Sequence, residues 1–160
     1  MADTTVDLIT TFYRALQAKD GAAMAACYAE GATFRDAVFD LRGWQVGAMW
    51  RMLCERGTDL RVEFRDVHAD AHNGSAHWEA WYTFSASGRK VHNVIDAAFT
   101  FVSGRIAAHE DRFNFHRWAG QALGPLGLLL GWAPPFQNMV RRRTAATLAG
   151  WAAKRGLGPP

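Results

Sequence analysis

Residues 77–115 read HWEAWYTFSASGRKVHNVIDAAFTFVSGRIAAHEDRFNF, and two small-residue breaks divide them, Ser87-Gly88 and Ser103-Gly104. Each break is a turn signal between runs rich in β-branched and aromatic residues, so three consecutive antiparallel strands are expected over 77–84, 90–102 and 105–115. Just upstream, Leu60, Val62 and Phe64 alternate with Arg61, Glu63 and Arg65, the period-two pattern of a half-buried strand.

Working outward, the period changes to that of helices. Val6, Ile9, Phe12, Tyr13 and Leu16 form one apolar stripe over 4–19, with Thr4 and Asp7 resembling a capping box. Asp20 can cap a short second helix over 22–28, which Gly31 ends. A strand over 32–39 and a turn at Leu41-Arg42-Gly43 lead into a third helix over 44–56, with Val46, Met49, Trp50 and Leu53 on one side and Gly57 closing it. After His116 the helical period returns over 118–123 and 139–154. Helices first and strands after them predict an α+β domain in which a small curved antiparallel sheet wraps the N-terminal helices and leaves a pocket at one end. Residues 1–115 form that domain, and 116–160 a helical extension packed on it. In the extension Leu126, Leu128, Leu129, Leu130, Trp132 and Phe136 call for burial, at the mouth of the sheet or over its outer edge.

The chain has 160 residues, 49% hydrophobic and 21% charged, enough for one core and against disorder or a coiled coil as a description of the whole. Eighteen Lys and Arg against fifteen Asp and Glu leave +3. Much of the excess lies in Arg141, Arg142, Arg143, Lys154 and Arg155, with no acidic residue after Asp111, and reads as a solvated helix face rather than a phosphate patch. No nucleic-acid partner is therefore expected. Cys27 and Cys54 have no metal-ligand spacing and read as reduced structural thiols. The most apolar stretch, 123–136, is too short and too interrupted by Gly and Pro to span a bilayer, so no membrane partner and a cytoplasmic location are expected.

Pairing the strands through their turns places Glu79 opposite Asp96, Asp96 opposite Asp111 and Ala98 opposite His109. One face then carries Glu79, His92, Asp96, His109 and Asp111 among Trp81, Val94 and Phe113, and this face is expected to line the pocket. Carboxyls side by side in apolar surroundings resist ionisation, the condition a general acid needs. The other face, with Trp78, Ala80, Tyr82, Phe84, Ile95, Ala97 and Phe99, is then outside and apolar enough to pair two copies as a homodimer. A one-residue slip would reverse the two faces, sending the carboxyls to solvent and Trp78, Tyr82 and Phe84 inside.

Three phrases carry a family likeness: 12–16 (FYRAL) through Asp20, 28–36 (YAEGATFRD), and 94–96 (VID) through Gly104-Arg105-Ile106. In this order and spacing they resemble the nuclear-transport-factor-two-like superfamily, in its ketosteroid isomerase and SnoaL-like polyketide cyclase branch, over residues 4–115. The resemblance implies a cone whose sheet and helices enclose an apolar cavity. It implies Asp36 as a general base beside a carbonyl, Asp96 as a protonated acid donating to the enolate oxygen, and Tyr28 in a supporting hydrogen-bond network. Phe12 stands where the isomerases keep an oxyanion-stabilising tyrosine, with Tyr13 about 100° of helix rotation away.

The function expected is proton transfer on a small apolar carbonyl compound by a cofactor-independent isomerase or cyclase. Asp36, Asp96 and Asp111 are its catalytic candidates, and Phe12, Tyr28, Trp50, Glu79, Trp81, His92, His109 and Phe113 line its substrate site. Two alternatives stand beside it: a non-catalytic binder of the same fold, and a limonene-type epoxide hydrolase using Asp96 with Asp111. No metal is expected, since no element organises His92 and His109 as ligands. No phosphate loop, nucleophile elbow or Cys-His pair is present.

Overall fold

The computed structural model describes residues 2–159. Its elements run α1 (Ala2–Gln17), α2 (Gly21–Ala26), β1 (Tyr28–Arg35), β2 (Asp40–Arg42), α3 (Trp44–Arg56), β3 (Arg61–Ala69), β4 (Asn73–Phe84), β5 (Arg89–Val102), β6 (Arg105–Arg112), α4 (Phe115–Leu123), α5 (Pro125–Leu130) and α6 (Pro134–Lys154). The fold is α+β: one curved, unclosed sheet in the order β2-β1-β6-β5-β4-β3, with α1 and α3 against its concave side. The β1/β6 pair is parallel and the other four are antiparallel, so the sheet is mixed rather than wholly antiparallel.

Local chemistry accounts for most boundaries. Asp20 caps α2 by accepting from the Ala23 N–H at 3.0 Å, and Asn114 caps α4 by accepting from Arg117 N–H at 3.0 Å. The residues expected to turn at 41–43 pair instead with β1 as β2, because Asp36 folds the chain back through its own side chain. Helix α1 already includes Ala2, so Thr4 and Asp7 sit inside it rather than forming its capping box. Proline at the first turn starts α5, a helix the apolar period does not indicate, and α6, which begins earlier than that period suggests.

The core beneath the sheet joins Ile9, Phe12, Tyr13 and Leu16 of α1 to Trp50 of α3, Phe34 of β1, and Trp78, Ile95, Ala97 and Phe99 of the central strands. A second cluster sits at one end, where β1 and β6 finish and the β4–β5 hairpin turns. There Phe115, Trp118, Phe136 and Val140 of α4 and α6 cover Val91, Val38, Tyr82, Phe84 and Phe113. The C-terminal helices thus cover this end of the sheet, and Leu148, Trp151 and Ala152 of α6 join the first core. The leucines of α5 and Trp132, which the sequence led one to expect buried, are exposed.

The two sheet faces are the reverse of the expected ones. The β4–β5 loop is two residues off the predicted register, with Phe84 opposite Arg89 and His77 opposite Asp96, which leaves face parity intact. Parity changes in β6, where Thr100 pairs with Ala108 but Phe101 with Ile106. Ala107 is therefore an extra residue, a β-bulge that rotates everything after it to the opposite face. His109 and Asp111 leave the Asp96 face and join Ala97 and Phe99 inside. The helices settle which face is inner: Trp78, Ala80, Ile95, Ala97 and Phe99 are buried under α1 and α3. The row expected to pair two copies is the lining of the cone.

Candidate active site in the cone

Of the candidate residues, the fold gathers Phe12, Tyr28, Trp50, His109 and Asp111 in the buried interior, with Phe113 and Asp36 at the rim. It leaves Glu79, Trp81, His92 and Asp96 on the convex side. There His92 Nε2 lies 2.8 Å and Arg65 Nη1 3.1 Å from Glu79, His77 Nδ1 lies 2.9 Å from Asp96, Trp81 stacks on His92 at 4.5 Å, and Arg61 sits over Trp81 at 3.9 Å. The Asp96 side chain is 78% exposed. The assignment of Asp96 as a pocket acid is therefore overturned, and with it the isomerase mechanism built on that acid. The pairing of Asp96 with Asp111 for epoxide opening fails for the same reason, because the sheet lies between them. Glu79, held below the ordinary carboxylate range chiefly by the hydrogen bond from His92, belongs to a surface ion network.

Inside the cone a hydrogen-bonded chain crosses from α3 to β4. Trp50 Nε1 donates to Tyr28 Oη at 2.9 Å; Tyr28 Oη lies 2.7 Å from His109 Nδ1; His109 Nε2 lies 2.9 Å from Asp111 Oδ1, which also receives Trp78 Nε1 at 3.4 Å. His109 is wrapped by rings: Phe34 and Phe12 meet it edge-on, Trp50 lies parallel, and Phe99 is 4.4 Å away. The helical period marks Trp50 and strand alternation His109 and Asp111, while Tyr28 comes from the family resemblance; Trp78, whose partner depends on the bulge, is not among the site candidates.

Asp36 stands where β1 ends and turns into β2. Its Oδ1 accepts the N–H groups of Val38 at 2.8 Å and Phe39 at 2.7 Å, so this oxygen builds the turn and Oδ2 remains for another partner. Burial pushes its pKa up to about 7. The two backbone N–H groups oppose that rise, the Asp111 charge adds to it, and Arg141 of α6 opposes it. Arg141 reaches this corner by donating from Nε to the Ala37 carbonyl at 2.8 Å. Tyr82, which accepts from Trp118 Nε1 at 2.9 Å, completes the rim, and its hydroxyl feels the Asp36 charge.

Tyr13 is fully buried, and its hydroxyl has no hydrogen-bond partner among the described residues. Burial raises its pKa well above the ordinary value, and the Asp111 charge acts in the same direction. A buried hydroxyl without an acceptor costs about 1–3 kcal/mol, a cost that a bound acceptor atom would remove. The sequence offered one signal of this, a tyrosine beside Phe12. Among the described residues no group of three His, Cys, Asp or Glu side chains could hold a metal ion, and no helix is long and apolar enough to cross a membrane. Cys27 and Cys54 are buried and unlinked.

No curated protein matches the chain. Solved structures that resemble it share the fold at low identity. A SnoaL-like polyketide cyclase from Jannaschia sp. CCS1 superposes with TM-score 0.68 at 13% identity, over 78% of this chain and 95% of that one. An LEH-like epoxide hydrolase from M. tuberculosis gives 0.61 at 18%, over 81% and 95%. A polyketide cyclase from Xanthomonas campestris pv. campestris gives 0.60 at 21%, over 75% and 97%. The profile of the SnoaL-like domain matches residues 9–109, from the first helix to the histidine of the buried chain, and the protein belongs to the SnoaL-like domain family.

Proposed function

We propose that the protein moves a proton on a small apolar carbonyl compound, without a cofactor, with Asp36 as the base. The observation that carries this reading is the position of Asp111. It ends the buried Trp50–Tyr28–His109 chain, and its charge acts both on the rim carboxylate and on the orphan hydroxyl of Tyr13. A base is most useful when its pKa lies near the working pH, and Asp36 meets that condition with an oxygen to spare. In this reading Asp36 takes a proton from the carbon beside the carbonyl, the enolate oxygen accepts from Tyr13, and the proton returns at another atom. The hydroxyl supplies the donor that Phe12 cannot. Tyr28 and His109 are positioning residues that hold Asp111.

A second reading, a non-catalytic binder, is favoured by Phe12, whose ring packs edge-on against Tyr13, Tyr28, Trp50, Phe99 and His109 and fills the interior. Solvent-deuterium exchange into a panel of small ketones separates the two. The first reading expects exchange that Asp36→Asn abolishes. Ligand binding without exchange in the unsubstituted protein selects the second.

A further inference from the structure

Residues 125–132 read PLGLLLGW, and their side chains are displayed rather than packed: Leu126, Leu128, Leu129 and Leu130 are exposed, Leu129 and Trp132 at 69% each. The arrangement is held in place. A Cβ on Gly127 would lie 1.9 Å from the Ala119 carbonyl oxygen, and one on Gly131 would meet His116 and Ala119, so α5 lies against α4 through its glycines. Leu128 borders Gly120 of α4, and the other three leucines are left exposed. His116 Nε2 lies 2.6 Å from the Leu128 carbonyl, Gln137 donates to Gly131 at 3.1 Å, and the Trp132 indole donates back to Leu129 at 2.8 Å.

Beside this patch, Arg89, Lys90 and Arg117 line a depression of about 640 Å3 together with Gly88, Gly120, Gln121 and Leu128, and no carboxylate lines it. Among the described residues none of these three cations makes an ion pair, although Asp59 acts on Lys90 from farther away. The charge is also segregated along the chain. After Asp111 there are seven Lys and Arg and no carboxylate side chain, against eleven basic and fifteen acidic residues up to and including Asp111.

We propose that α5 and Trp132 dock on the surface of an anionic lipid bilayer, the leucines and indole entering the interface and the Arg89–Lys90–Arg117 depression receiving a headgroup phosphate. Leucine and tryptophan bordered by arginine and lysine are what such a surface recognises. A second copy of the chain fits less well, because pairing through α5 would set two carboxylate-free basic segments against each other. This replaces the expectation of no membrane partner, which rested on the lack of a spanning segment. It is independent of the chemistry proposed for the cone.

The test is flotation of the full-length protein with vesicles of phosphatidylcholine alone and of phosphatidylcholine mixed with phosphatidylglycerol. Binding to the mixed vesicles is expected to be stronger by about tenfold or more, and to weaken with salt. The pairs Leu126→Ser with Leu129→Ser, and Lys90→Gln with Arg117→Gln, should each lower it by about tenfold while thermal unfolding stays unchanged, since all four side chains lie at the surface. In the unsubstituted protein, brominated lipid should quench part of the tryptophan emission, and Trp132→Phe should remove that part. Equal binding to both vesicles, binding that survives either pair of substitutions, or a dimer that Leu129→Ser dissociates would overturn the proposal.

Discussion

Tyr28 Oη and His109 Nδ1, 81 positions apart in sequence, lie 2.7 Å from each other in the buried interior. The proton order along this chain follows from its first member. The Trp50 indole can only donate, so Tyr28 accepts from it and has one hydrogen left to give. Giving it to Nδ1 makes Nε2 the protonated nitrogen, which then donates to Asp111. The other tautomer would leave the tyrosine hydrogen without an acceptor and set a lone pair against a carboxylate.

Tyr28→Phe keeps the ring and removes both bonds, leaving an indole N–H and an imidazole nitrogen buried without partners. A loss of roughly 1–3 kcal/mol in denaturant unfolding is expected. Nitrogen NMR of the unsubstituted protein should find the His109 proton on Nε2, and a substantial Nδ1–H population would contradict the proton order.

Asp36→Asn should trade activity for stability. A carboxyl whose folded pKa is about 7 holds its proton more tightly folded than unfolded. Its contribution is complete below the unfolded value of about 3.9 and is lost as pH rises from there to about 7. At pH 8 the charged form therefore costs the fold up to about 4 kcal/mol, at about 1.4 kcal/mol per pKa unit. The amide carries no charge and still offers an oxygen to Val38 and Phe39. The variant should be the more stable protein at pH 8, with the difference vanishing near pH 4; equal stability at pH 8 would mean that Asp36 is not perturbed.

Asp96→Asn should do very little. The side chain is mostly in solvent and, among the described residues, its one hydrogen-bond partner is His77, so unfolding should shift by no more than about 0.5 kcal/mol and ketone exchange should be unchanged. A loss of exchange would return this aspartate to the interior and overturn the register of β5 on β6.

Removing residues 114–160 should expose Val91, Phe84, Phe113 and Tyr82 together, and Leu148 and Trp151 would no longer fill the first core. The shortened chain should bind a hydrophobic dye and aggregate where the full chain does not. A monomeric, dye-silent product would make the extension a separate appendage.

What could be read from residues alone was whatever depends on short-range period and turn chemistry. The helices of the first half, the strands on either side of Ser103-Gly104 and the Asp20 cap all follow from local pattern. The hairpin turn is explicit, since Ser103 and Gly104 both have positive φ, as a two-residue loop of this hand requires. The site was half legible, because period and alternation mark Trp50, His109 and Asp111, and the family resemblance marks Tyr28 and Asp36. Their grouping was not. Ala107 resembles the alanine after it, and nothing in its chemistry marks it as the residue without a partner. Once its presence is missed, alternation places His109 with His92 and Asp111 with Asp96. The exposed leucines of α5 escaped for a related reason: composition measures how apolar a segment is, and it takes the glycine contacts with α4 to decide which way the leucines point.

The bulge at Ala107 also sets a rule for how this lineage can vary. Losing or gaining a single residue between Ser103-Gly104 and His109 would exchange the two faces of β6, turning Glu110 and Arg112 inward and His109 and Asp111 to solvent. A change of two residues would keep every side chain on its face. Viable relatives should therefore differ in this hairpin by even steps, or carry a compensating odd step elsewhere in the strand, and length parity becomes an inherited trait that can be followed where sequence identity has decayed.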